Sequence, residues 1–164
     1  MPNTSPSPPL TPLPELPARM SSTGFGVLGA ESVGRLARWP TLPTGWAGFW
    51  DDLPPDRYLR DGGRYRRRRH GCFVVEGDRV DAVSHRAHWQ PVEYNALHGG
   101  IERWFDPLAP SLVSDLRWSL LLQALARVAA GLHVAARWFA EAHVFRIDTT
   151  DGIGRPTPEG AHRD

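Results

Sequence analysis

Proline and glycine each occur 16 times in the 164-residue chain. That density forces turns and short elements and argues against a bundle of long helices. Hydrophobic residues make up 41% and charged residues 23%, ordinary globular proportions that exclude a wholly disordered chain. The length suits one modest domain. A single cysteine, Cys72, leaves no internal disulfide and excludes a disulfide-stapled scaffold. It reads as a small buried apolar residue. No apolar run reaches membrane-spanning length and no secretory leader is visible, so a soluble, cytoplasmic protein is expected.

The net charge is +1, and every basic residue is arginine. Seven arginines fall between Arg57 and Arg69, against Asp56 and Asp61. Such a run could grip nucleic acid. The near-neutral total favours a solvated strand face with a few arginines reaching carboxylates.

Residues 1–22 are expected to form a disordered, Pro-rich tail, because they cannot bury enough apolar surface to offset their ordering entropy. Its PxxP spacings, such as Pro6/Pro9 and Pro14/Pro17, could suit an aromatic groove. Residues 23–164 would then be the folded domain. Glu31 to Trp39 suits a short helix ending before Pro40. Trp46, Phe49 and Trp50 form an apolar cluster that should pack on the domain. Arg64 to Val75 reads as a strand, with a turn at Glu76-Gly77-Asp78. Gly99-Gly100 permits a tight turn or the close approach of another segment. Ser111 to Ala130 is the clearest helix: Ser111 or Ser114 can cap it, Gly131 can end it, and Leu112, Leu116, Leu120, Leu121, Leu125 and Val128 fall at helical spacing. Residues 141–150 alternate as a strand, with His143, Phe145 and Ile147 on one face and Val144, Arg146 and Asp148 on the other.

His162-x-Asp164 is the residue pair with the most chemistry. Two apart in extended chain, an imidazole and a carboxylate face the same way. A second histidine would complete the two-histidine, one-carboxylate set that holds ferrous iron with open positions. His85-x-x-His88 lacks an acidic or cysteine partner in sequence and reads as a pair of exposed histidines. His143, on a strand, reads as structural, although it could approach a metal.

The blocks Tyr58-Leu59-Arg60-Asp61, Tyr65-Arg66, Tyr94-Asn95, Gly99-Gly100, Arg103, Phe105 and Pro158-Glu159-Gly160 before His162-x-Asp164 run from about Leu53 to Asp164. In this order they resemble the bacterial 2-oxoglutarate/Fe(II)-dependent dioxygenases that include the L-isoleucine hydroxylases and other free amino-acid hydroxylases. The resemblance implies an α+β fold with a mainly β core. That core would be a double-stranded β-helix, a cupin-like jelly roll, preceded by helical elements and incomplete at the C-terminus. It implies Fe(II) with 2-oxoglutarate as co-substrate, O2, and a small substrate such as a free L-amino acid. His162 and Asp164 match two iron ligands. The third histidine and the arginine that anchors 2-oxoglutarate have no match before the chain stops. Arg146, Tyr94, Asn95 and Arg103 are candidate substrate-binding residues, and Glu159 a support for His162. A non-catalytic remnant of such an enzyme and an arginine-rich binding module are the rival expectations. A homo-oligomer is compatible with the sequence.

Overall fold

The computed structural model describes residues 9–59, 64–95 and 99–150. Among them is one three-stranded antiparallel sheet in the order β2-β1-β3. Strand β1 spans Arg66–Glu76, β2 Arg79–Ala82 and β3 Trp138–Ile147. Gly77, with φ +58°, supplies the left-handed residue of the β1–β2 turn, where Glu76 pairs with Arg79. Strand β3 lies along β1 from Arg66↔Ile147 to Val75↔Trp138, so neighbours in space are some 70 residues apart in sequence.

Side chains of the central strand point alternately to its two faces, and Cys72 and Phe73 in succession are both buried. Its odd-numbered residues Phe73 and Val75 turn towards the helices, and Val144 of β3 joins them. Leu53, Leu108, Leu112, Trp118 and Leu122 complete that core. Burying these side chains in apolar surroundings is the main favourable term holding the sheet to the helices.

The helix expected over 111–130 is divided. Helix α3 covers Pro110–Val113 and α4 covers Leu116–Ala130; α1 is Leu16–Thr23 and α2 Ala30–Leu36. The break comes at Ser114-Asp115. Asp115 has extended backbone, and its carboxylate accepts from the Arg117 N–H at 2.9 Å. Asp115 thus caps α4 in place of either serine. The break also changes the helical phase. Trp118 and Leu122 face the sheet, whereas Leu116 and Leu125 of the expected stripe are exposed. The Trp46 indole donates to Asp115 at 2.9 Å, and the Trp39 indole to the Arg117 carbonyl at 2.8 Å. Trp46, Phe49 and Trp50, on a 3-10 turn over Thr44–Trp50, pack on the core as their composition suggested.

The expected disordered tail is ordered in its described part. A 3-10 turn over Leu13–Glu15 runs into α1. Prolines at the first helical positions cost nothing there, since those N–H groups have no helical partner. The Thr11 N–H donates to the Val27 carbonyl at 2.6 Å, the Val27 N–H to the Thr11 hydroxyl at 3.1 Å, and Leu16 is buried against Gly26. These long-range contacts offset the ordering entropy that local composition alone could not. No described helix is long and apolar enough to cross a membrane.

Candidate functional site

The sheet face turned away from the helices carries polar groups. Even-numbered residues of β1 and odd-numbered residues of β3 meet there in register: Arg68 beside Phe145, His70 beside His143, Cys72 beside Glu141. His88 arrives from the segment after β2. Its backbone exchanges hydrogen bonds with Arg103 at 2.9 and 3.0 Å, which pins both residues against the sheet. Ligand atoms of His70, His88, Glu141 and His143 all lie within 4.8 Å of one another.

Glu141 bridges two of the rings. One oxygen is 3.6 Å from His70 Nε2 and the other 3.0 Å from His88 Nδ1. His143 stacks on His70 with centroids 4.7 Å apart and 27° between planes. Arg68 reaches His143 Nδ1 at 2.6 Å and lies over the Phe105 ring at 4.1 Å. Cys72 Sγ is 3.4 Å from His70 Nε2. Burial pushes the His70 imidazole down to about 4, against the opposing pull of Glu141. Burial also lowers His88, and His143 further, where Arg68 and the other two rings add to the effect. The three rings are therefore neutral at pH 7. Burial and the Glu141 charge push the Cys72 thiol up.

The arginine run is built into the protein. Arg66 and Arg68 are buried, with Asp56 2.7 Å from Arg66 and 3.7 Å from Arg68. Arg67 donates to the Leu53 carbonyl at 2.7 Å and Arg69 to the Pro107 carbonyl at 3.1 Å. This differs from a solvated face and leaves little of the run for nucleic acid.

The candidate residues from sequence are separated by the fold. Asn95 and Arg103 come together, each donating to the Gln90 side-chain carbonyl at 2.8 Å, one strand-width from His88. Tyr94 is next to them and half exposed. Arg146 is on the wrong face: its side chain donates to the Trp50 carbonyl at 2.9 Å, across the sheet from the histidines. Its role there is to tie β3 to the Trp46–Trp50 turn. His88, expected to be exposed, is 5% exposed, whereas His85 is at the surface and bonds the Phe105 carbonyl at 2.8 Å. His162, Asp164 and Glu159 lie outside the described residues.

His70, His88 and Glu141 escaped sequence reasoning as a group. Arg64 to Val75 was legible as a strand, but the pairing of Cys72 with Glu141 was not.

Residues 47–164 match the model of the 2OG-Fe dioxygenase family. The chain belongs to this family. Members use Fe(II) and 2-oxoglutarate, and the imidazole and carboxylate donors gathered on the polar face are of the kind that ferrous iron accepts. The crystal structure of a bsmA homologue from Methylobium petroleophilum PM1 is similar, with a TM-score of 0.83 and 45% identity over 95% of this chain and 64% of that one. The chain thus spans about 64% of the length of that protein. No curated protein matches the chain. The mixed helices and antiparallel sheet accord with a 2-oxoglutarate oxygenase domain.

Proposed function

We propose that the chain serves an Fe(II)/2-oxoglutarate-dependent hydroxylation of an unactivated C–H bond in a small substrate, a free L-amino acid, within a jelly-roll core. The observation that carries this reading is the family match, which extends through His162-x-Asp164. In it, His162 and Asp164 hold the iron, and Glu159 steadies His162. Bound iron with 2-oxoglutarate supplies the oxidising power: one oxygen atom of O2 enters the substrate, the other enters succinate, and CO2 leaves.

The other residues bind and orient. In sequence β3 precedes the motif, and its histidine face is read as one wall of the substrate chamber. Phe105 and Phe145 supply the apolar part of that wall, which limits water. Asn95 and Arg103 are buried beside it, with Tyr94 exposed next to Asn95. Arg103 suits a substrate carboxylate and the Asn95 amide oxygen suits an ammonium group, with Gln90 holding both side chains in place.

The test is anaerobic addition of Fe(II) and 2-oxoglutarate to the chain. Expected is the visible charge-transfer absorption of a ferrous 2-oxoglutarate chelate, lost in His162→Ala. In air, succinate formation should rise with one or a few free L-amino acids. Absence of the chelate absorption, or no amino acid that raises succinate output, defeats the reading.

A further inference from the structure

We propose that His70, Cys72, His88 and Glu141 form a binding site for a zinc-class divalent cation, independent of His162 and Asp164. Such a site lies beyond the dioxygenase reading and does not draw on its iron-binding pair.

Three separations support it. His70 Nε2 is 3.6 Å from Glu141 Oε1. Cys72 Sγ is 3.4 Å from His70 Nε2 and 3.8 Å from Glu141 Oε1. Ligands bound at about 2.0–2.3 Å around a tetrahedral zinc ion stand about 3.3–3.8 Å from each other. The triangle already has that size without a cation inside it. His88 approaches the same carboxylate, with Nδ1 3.0 Å from Glu141 Oε2.

The backbone holds this arrangement. His70 and Cys72 are two apart on β1 and share a face, and Cys72 is paired in register with Glu141 on β3. His88 is fixed through its two backbone bonds to Arg103. The donors are imidazole, carboxylate and thiol, the set that zinc favours. On binding, the thiol proton passes to solvent and the thiolate bonds the metal, with no change of oxidation state. Glu141 is the open side, its side chain 32% exposed, which gives an entry path.

His143 is as near as the others but is not a ligand. Arginine can only donate hydrogen bonds, so the 2.6 Å contact from Arg68 makes His143 Nδ1 the acceptor. Its proton then sits on Nε2, and neither nitrogen has a free lone pair. His143 instead stacks on His70 and fixes the orientation of that ring.

The test uses the whole chain, stripped of metal, with His162→Ala and Asp164→Ala together so that the dioxygenase motif cannot contribute. Titration with Co(II) alone should show one bound equivalent, tetrahedral visible bands and a sulfur-to-cobalt charge-transfer band, all displaced by Zn(II). In that background, Cys72→Ser should remove the sulfur band. Glu141→Gln and His88→Asn should each weaken binding by more than the roughly tenfold that loss of a supporting contact costs. Glu141 is open to solvent, so its variant keeps the test decisive if the His88 variant does not fold. No cobalt uptake, a spectrum without the sulfur band, or uptake unchanged by Glu141→Gln would overturn the site. Failure of the iron reading shows separately, as a missing ferrous 2-oxoglutarate chelate in the chain with its motif intact.

Discussion

At the scale of single residues, Asp56 sets the balance of the arginine run. It is buried, accepts from the Tyr58 N–H at 2.9 Å and pairs with Arg66 and Arg68. Buried charges without a counter-charge are costly. Asp56→Asn keeps the shape and removes the charge, so it should lower stability by about 3–5 kcal/mol; the midpoint of urea unfolding measures this. Gly99 is the second sensitive residue. A Cβ there would stand 2.5 Å from the carbonyl oxygens of both Pro91 and Asn95, and neither is a movable side-chain end. Gly99→Ala should therefore cost about 1–3 kcal/mol and disturb the Asn95–Gln90–Arg103 contacts. A wild-type melting temperature in that variant would refute the close approach. The glycine pair was legible in sequence as a tight spot, because only glycine tolerates such contact. The Asp56 pairing was not, because the nine residues between Asp56 and Arg66 carry no pattern that points one at the other.

At the scale of elements, the ends of helices decide more than their interiors. Asp115 caps α4, accepts from the Trp46 indole and pairs with Arg117 at 2.6 Å. Those hydrogen bonds hold its carboxyl well below the usual range. Asp115→Ala should cost about 1–2 kcal/mol, read as a lowered urea midpoint. Arg38, just beyond α2, sits at φ +54°, a backbone state that glycine adopts without strain. Arg38→Gly should raise stability by about 1 kcal/mol. No gain in midpoint would show that Arg38 is not strained there. The apolar period over 111–130 announced a helix, the alternation over 141–150 a strand, and the stretch Arg64 to Val75 another strand. The break at Ser114-Asp115 was not, since it follows from the Trp46 indole reaching Asp115 from 69 residues away.

At the scale of the whole molecule, stability should depend on pH through the buried histidines. His70, His88 and His143 all sit below their usual value, chiefly through burial, with Glu141 opposing for the first two and Arg68 reinforcing for each. Below about pH 6.5 the unfolded chain takes up protons at these rings and the folded chain does not. Stability is therefore complete above that pH and falls as pH drops towards about 4 for His70. The slope is about 1.4 kcal/mol per pH unit for each histidine, in protein free of metal. Urea midpoints at pH 7 and pH 5.5 measure it, before most carboxylates titrate. Equal midpoints would mean that the rings are open to protonation in the folded chain.

Local pattern alone determined the strands β1 and β3, the helix near residue 120, the turn at Gly77 and the family blocks leading to His162-x-Asp164. Each depends on the period of one segment or on a contiguous string of residues. Tertiary structure alone decided that residues 9–22 of the Pro-rich segment are ordered, that Arg66 and Arg68 are interior, that Arg146 reaches the Trp50 carbonyl, and that Glu141 stands between His70 and His88. These outcomes depend on which strand lies beside which, and in what register. A one-residue slip of β3 along β1 would send Glu141 and His143 to the helix side and dissolve the cluster without altering any local propensity.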